Sequence, residues 1–346
     1  MIKVYVKKFF TSLTLIICSS LVSCRISKGE LTICANCLET YAEAVCSQFE
    51  KKTGIKTSLK MISVNQALEL EKNGNSTADV WFGGTQYPYI EASSLGLLYP
   101  YKAKNASHLI DKKYMDENYM WYGIYLGVLG FFWNQDELDK RNIMPPVDWD
   151  DLLKPEYKGL ITFGNPKTCG TGKLIVNTVV QIRGKDEAMK YFKELDKNIF
   201  NYTVYGVQPA FMVADNEAII GIGFMHDILR KMITEDKEYL GMTTPISGTS
   251  CEIGATAIVK SAKNIENAKK FIEFALSPEC VNLAHENNSY QMVLIDNADP
   301  VKTAINTGLD KIETIDFDYE DATKNGESYC DEFIKTIRND NRVHYK

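Results

Sequence analysis

Past residue 30 the chain has no apolar run long enough to span a bilayer, which leaves its body without a membrane-spanning helix. It has no excess of positive charge. Its 346 residues carry 39 basic and 45 acidic side chains, a net charge of −6. Residues 1–23 hold three of the lysines, so the remainder carries 36 basic against 45 acidic groups, a net charge of −9. The basic footprint of a nucleic-acid-binding protein is missing. An acidic surface favours solubility and says little about a ligand. There is no internal repeat and no low-complexity tract. Neither G-x-S-x-G nor H-E-x-x-H occurs, so two hydrolase signatures are absent. What is left is ordinary for a soluble globular protein, 45% apolar and 24% charged. The chain is long enough for two lobes that each bury a core.

Only the N-terminus departs from that composition. Lys3, Lys7 and Lys8 precede an apolar stretch at residues 9–22, short for a transmembrane helix and suited to an export signal. It closes on Leu21-Val22-Ser23-Cys24, which resembles the lipobox of bacterial lipoproteins. That resemblance implies a signal peptide at residues 1–23 and a lipid on Cys24, anchoring a soluble domain to a bacterial membrane without spanning it. The expected location is periplasmic or extracytoplasmic, with residues 24–30 as a tether. An ordinary cleaved signal with a chance cysteine is the plainer alternative. Of nine cysteines, Cys18 leaves with the signal and Cys24 takes the lipid. The seven that remain are an odd number, so at least one is unpaired in a monomer. Cys34 and Cys37 have C-x-x-C spacing, but no second pair and no neighbouring histidine make it a redox or zinc signature.

From residue 31 onward, short β-like runs alternate with helical ones. Residues 31–34 read as a strand. Leu38, Tyr41, Ala42, Val45 and Phe49 then recur at helical spacing behind Asn36 as a cap, up to Gly54. Residues 57–61, 78–82, 159–163 and 218–223 read as further strands, and residues 66–72 and 172–182 as helices. Asn264 reads as the cap of another helix, and Pro278 as the opening of the next. The alternation predicts an α/β fold with a mainly parallel sheet covered by helices. Residues 122–133 and 253–259 read as crossings between two lobes. Lobe 1 then comprises residues 31–124 plus about 256–305, and lobe 2 residues 125–255 plus about 306–346. Two crossings make a hinge, with a ligand cleft between the lobes beyond the carboxyl ends of the strands.

Several segments in order resemble the bacterial extracellular solute-binding proteins of ABC importers. They are FEKKTGI at residues 49–55, ADVWFGGT at 78–85, GLLYPY at 96–101, WDDLLKPEYKG at 149–159 and NPKTCGTG at 165–172. The resemblance implies the two-lobed type II periplasmic-binding-protein fold, a permease and an ATPase as partners, a monomer, no cofactor and no enzymatic activity. The family includes ferric-ion binders and Afu-type binders of hexose phosphates. Ferric members usually carry adjacent tyrosines at the end of a second-lobe strand, and this chain has no Tyr-Tyr pair anywhere. The corresponding place holds His226-Asp227, and Glu252 stands at an acidic ligand position, both similar to the sugar-phosphate binders. Gln86-Tyr87 intervenes where relatives often have Asp, and Cys37, Cys169 and Cys251 stand where Ser or an aromatic is expected.

The residues themselves favour a small anionic solute, foremost a sugar phosphate. Phosphate is held by backbone N–H groups and helix N-termini. Gly84 and Thr85 in one lobe, and Thr168, Gly170 and Thr171 in the other, leave strands and open helices. Sugar hydroxyls pair with carboxylates, which suits Asp227 and Glu252, and His226 bonds a hydroxyl or a phosphate oxygen. Asn36 and Cys37 follow the first strand and face the cleft. Two other readings stay open. One is a metal receptor, either for ferric iron through some of the 19 tyrosines or for a softer metal through Cys37, Cys169, Cys251 and His226. The other is a thiol hydrolase using His226 and Asp227, which as neighbours on a strand would diverge.

Overall fold

The computed structural model describes residues 29–298 and 314–337. The expected signal peptide at residues 1–23, Cys24 and most of the expected tether lie outside the described residues. In chain order the main elements are β1 (Leu31–Asn36), α1 (Glu39–Thr53), β2 (Thr57–Met61), α2 (Val64–Lys72), β3 (Val80–Gly83) and α3 (Tyr87–Ser94). The long strand β4 (Tyr122–Asn134) follows, then α4 (Gln135–Lys140), β5 (Ile161–Gly164), α5 (Gly170–Arg183), α6 (Lys185–Leu195) and β6 (Ile199–Thr203). Next come α7 (Gln208–Ala214), β7 (Ile220–Phe224), α8 (Met225–Thr234), β8 (Leu240–Thr243), β9 (Cys251–Ile258) and α9 (Ile265–Ala275). Two short helices (Pro278–Val281 and Leu283–Glu286), β10 (Met292–Val293) and a C-terminal helix (Tyr319–Thr336) complete the described chain. No described helix is long and apolar enough to cross a membrane.

The strands run in the order β2-β1-β3-β9-β4-β7-β5-β6, with β8 and β10 also pairing β4. β1, β2 and β3 are parallel to one another, as are β5, β6 and β7. This is the α/β two-lobed type II periplasmic-binding-protein architecture, a parallel set in each lobe joined through antiparallel β4 and β9. Every residue of β4 is buried. One apolar core gathers β5, α5, α6, β7 and the C-terminal helix around Phe163, Phe192 and Phe333. A second lies between β1, α1, β3 and α9 around Phe49, Phe82 and Phe271. A third covers the other face of that sheet, and it takes in Leu126, Val128, Cys251 and Ile253.

Local chemistry explains most ends. Gly54 closes α1 at φ 67°, which a side chain would strain. Ser63 and Gln66 form a reciprocal capping box on α2. Three sequence expectations are corrected. Asn36 does not cap α1: the N-cap is Leu38, without a side-chain bond, and Asn36 Oδ1 accepts from the Val64 N–H at 3.3 Å. His226 and Asp227 are not strand residues. They occupy the first turn of α8, which starts one residue past the end of β7. Asn264 sits at the N-cap of α9, but its amide donates to Glu30 O instead of capping.

The work expected of Asn264 falls to Asp79. This carboxylate is 3% exposed. It accepts from the N–H groups of Thr32 (2.8 Å), Lys263 (2.7 Å) and Asn264 (2.9 Å), tying β1 and β3 to the start of α9. Hydrogen bonds to a charged group contribute about 1.5–3 kcal/mol each and do not add fully. Asp79→Ala is expected to lower stability by about 3 kcal/mol in urea unfolding. A loss below about 0.5 kcal/mol, the scale of an ordinary surface change, would show that the clamp is not structural.

Candidate ligand-binding site

The carboxyl end of β1 and the start of α8 meet at a cleft of about 390 Å³. Asn36 and Cys37 line one side, and His226, Asp227 and Arg230 of α8 line the other. The segment Asn288-Ser289-Tyr290-Gln291 forms a third wall. Beside Asn36 the chain turns through Gly83 and Gly84, at φ 81° and 76°. A Cβ on Gly84 would lie 2.8 Å from Asn36 Oδ1 and 2.3 Å from Val64 Cγ2, so the turn needs glycine for both conformation and space.

Glu252 joins the site through Gly127. These two residues are opposite each other in the β4–β9 register. A Cβ on Gly127 would stand 2.9 Å from Glu252 Oε1 and 3.0 Å from His226 Cε1, so this glycine opens the space where carboxyl and imidazole approach. The His226 ring stacks on Phe224 at 5.2 Å, and its Nε2 lies 3.8 Å from Asp227 Oδ1. His226 Nδ1 is buried without a partner, and neither Asp227 nor Glu252 has a hydrogen-bond partner among the described residues. The Arg230 guanidinium lies over the Phe211 ring at 5.2 Å and has no carboxylate partner among the described residues.

The charges shape one another. Burial, reinforced by the like charge of Asp227, pushes the Glu252 carboxyl up to about 8. Burial also raises Asp227, against the pull of His226 and Arg230. Burial lowers His226, opposed by Asp227 and aided by Arg230. Near neutral pH Glu252 is therefore largely a carboxylic acid, able to donate one hydrogen bond and accept others.

The two Gly/Thr turns face each other across the lobes: a Cβ on Gly170 would lie 3.8 Å from Thr85 Cγ2. Several of their donors are engaged inside the protein. The Gly84 N–H bonds the Tyr125 hydroxyl at 3.0 Å, and the Thr168 hydroxyl donates to Val204 O at 2.8 Å. Thr171 is buried against Gly206, where a Cβ would overlap its hydroxyl. The cap of α5 is not a threonine but Cys169, whose Sγ accepts from the Gly172 N–H at 3.4 Å.

All seven described cysteines are free thiols, so Cys34 and Cys37 form no disulfide. Burial first, then Cys46, pushes the Cys37 thiol up to about 12, so it meets a ligand as a neutral S–H. Cys37, Cys169, Cys251 and His226 do not assemble a metal site. Among the described residues no three His, Cys, Asp or Glu groups are placed to hold a metal ion.

The sequence profile of the bacterial extracellular solute-binding proteins matches residues 78–319. The chain belongs to that family. This solute-binding protein is 33% identical over 320 residues to an uncharacterised protein of Haemophilus influenzae, covering 90% of this chain and 92% of the relative. It matches the periplasmic binding protein AfuA of Actinobacillus pleuropneumoniae, solved with exogenous fructose-6-phosphate bound, at TM-score 0.80 and 33% identity. That match covers 90% of this chain and 99% of AfuA. The apo ferric ion-binding protein A of Pasteurella haemolytica matches at TM-score 0.76 and 20% identity, over 89% and 97% of the two chains, which shows the shared fold alone. The solute-binding protein is thus the capture component of an ABC importer, working with a permease and an ATPase, and not an enzyme.

Of the residues singled out from sequence, Asn36, Cys37, His226 and Asp227 line the cleft, and Glu252 reaches it over Gly127. Gly84 and Thr85 adjoin Asn36, while Thr168, Gly170 and Thr171 stand at the start of α5 opposite Thr85. Arg230, Gly127 and the 288–291 segment were missed. Continuing the helical spacing of Ile228, Leu229 and Met232 back to His226 would have put Arg230 on its face, four residues on.

A raised carboxyl makes stability depend on pH. The folded value for Glu252, about 8, lies above the ordinary glutamate value of 4.5. Its contribution is therefore full below 4.5 and is lost as pH rises through 8. Unfolding free energy is expected to fall by up to about 1.4 kcal/mol per pH unit across that window, and Glu252→Gln to flatten the slope. Parallel slopes for the two proteins in urea titrations at several pH values would contradict a buried, largely protonated Glu252.

Proposed function

We propose that this solute-binding protein captures a sugar phosphate, foremost a hexose phosphate, between its lobes and hands it to the permease. One observation carries the reading. A single cleft sets the Arg230 guanidinium, which has no carboxylate partner among the described residues, beside Asp227, and Glu252 reaches it over Gly127; neither carboxyl makes a hydrogen bond among the described residues. Buried polar groups without partners are costly, and a ligand with an anionic end and several hydroxyls supplies what both kinds lack. AfuA, the 33% identical neighbour solved with fructose-6-phosphate, supports the same ligand class.

The proposed contacts are Asn36, Cys37, Gly84, Thr85, Thr168, Gly170, Thr171, His226, Asp227 and Glu252, joined by Arg230. We also propose residues 1–23 as a signal peptide and a lipid on Cys24. The mature protein is then a monomer held outside the cytoplasm on a bacterial membrane. The lobe limits at residues 124 and 255, read from sequence, belong to the same proposal, with β4 and β9 as the moving crossings.

A thermal-shift panel tests the ligand. A hexose 6-phosphate at about 100 times its dissociation constant is expected to stabilise the protein by roughly 2.7 kcal/mol. Asp227→Ala is expected to remove most of that shift, and free hexose or inorganic phosphate to give less. A shift with ferric citrate and none with any sugar phosphate would overturn the reading in favour of a metal receptor.

A further inference from the structure

One side chain of the first lobe is lodged in the second. Gln86 and Tyr89 hold the start of α3 on the crossing strand β9. Gln86, fully buried, accepts from the Ile253 N–H at 2.9 Å through its side-chain oxygen. The Tyr89 hydroxyl lies 2.8 Å from Ala255 O and 2.7 Å from Gly83 O. Tyr87, between them, packs elsewhere. Its ring lies against the second-lobe core of β5, α5, α6 and the C-terminal helix. Lys173 of α5 sets its ammonium 5.7 Å from the ring centroid. Two residues earlier, Thr85 faces Gly170 across the lobes. Tyr87 therefore spans the two lobes from a base that β9 fixes.

The ring suits that seat and the hydroxyl does not. The Tyr87 hydroxyl oxygen is buried without a hydrogen-bond partner among the described residues. Burial, then the neighbouring Cys251, Glu252 and Cys330, pushes the hydroxyl up, so it keeps its proton. A neutral hydroxyl taken from water and left unpaired is costly, whereas the ring gains from burial and from the cation over its face. Parting the lobes would return the hydroxyl to water. One residue thus favours closure through its ring and opposes it through its hydroxyl. We propose that the Tyr87 hydroxyl holds the unliganded protein open, so that the lobes close over a solute and not without one. Tyr87 is a positioning residue, which sets the population of the closed form and with it the apparent affinity. The device acts on closure whatever the solute, and so goes beyond the sugar-phosphate reading.

The test compares the full chain with its Tyr87→Phe variant, which deletes the hydroxyl alone. Small-angle scattering reads the unliganded proteins, calorimetry reads a hexose 6-phosphate, and thermal unfolding reads stability. Tyr87→Phe is expected to be more compact without ligand and to bind the sugar phosphate about tenfold more tightly, within the cost of one unpaired buried hydroxyl. Weaker binding would make the hydroxyl a ligand contact and overturn the proposal. So would a variant that only unfolds at higher temperature, with compactness and affinity unchanged, since the hydroxyl is then an ordinary interior group. An unaltered chain already as compact as Tyr87→Phe before ligand is added would overturn it as well. If neither protein binds a sugar phosphate, the ligand reading fails and the scattering comparison alone decides the role of Tyr87.

Discussion

A strand buried along both edges has to find a partner for every backbone N–H and C=O on each side. β4 meets that demand with two different sets of neighbours. Its first half pairs with β9 and β10, and its second half with β7 and β8. The sheets of both lobes are therefore registered on one strand of 13 buried residues. The same pairing sets the site. Gly127 stands opposite Glu252 on β9, and Leu129 opposite Phe224, the last residue of β7 before His226 and Asp227. A one-residue slip of β4 against either neighbour would turn the wrong face toward the cleft. The missing side chain at Gly127 is what lets carboxyl and imidazole share that space.

Some buried polar groups of the protein are fully satisfied. Asp79 accepts three backbone N–H groups, and Asn198 donates to two carbonyls. The cleft is built differently. His226 Nδ1 is buried there without a partner, Asp227 and Glu252 make no hydrogen bond among the described residues, and the Arg230 guanidinium meets the Phe211 ring but no carboxylate. A buried polar group left unpaired costs roughly 1–3 kcal/mol, and a ligand that bonds His226 Nδ1 would remove that cost. Burial and the charge of Asp227 hold Glu252 back from ionising, which keeps a proton in the site for a ligand oxygen to accept from. Capture and closure around a solute are the natural use of such an arrangement at a hinge.

Much of this was legible in the sequence. β4 announced itself as an apolar run too long for one lobe, and the Gly83-Gly84 turn by its two glycines at left-handed φ. The alternation of short strands and helices gave the layer order. The misses have physical causes. The N-cap of α8 is Phe224, which has no capping side chain, so no local signal marks the helix start, and His226-Asp227 read as the tail of a strand. That hid Arg230. Asn36 has the chemistry of a cap, but its oxygen bonds Val64, 28 residues away, a contact that local patterns do not contain. The Asn288–Gln291 wall belongs to no helix or strand, and its amide orientations depend on hydroxyls two residues distant. Local propensity shows elements well and shows poorly which polar groups are left without partners.

The measurement that bears most directly on this account is native mass spectrometry of the protein offered a hexose 6-phosphate and ferric citrate together at equal concentration. The account predicts one adduct with the mass of the sugar phosphate, lost in Asp227→Ala. An adduct with the mass of iron, with or without citrate, and no sugar-phosphate adduct would contradict it.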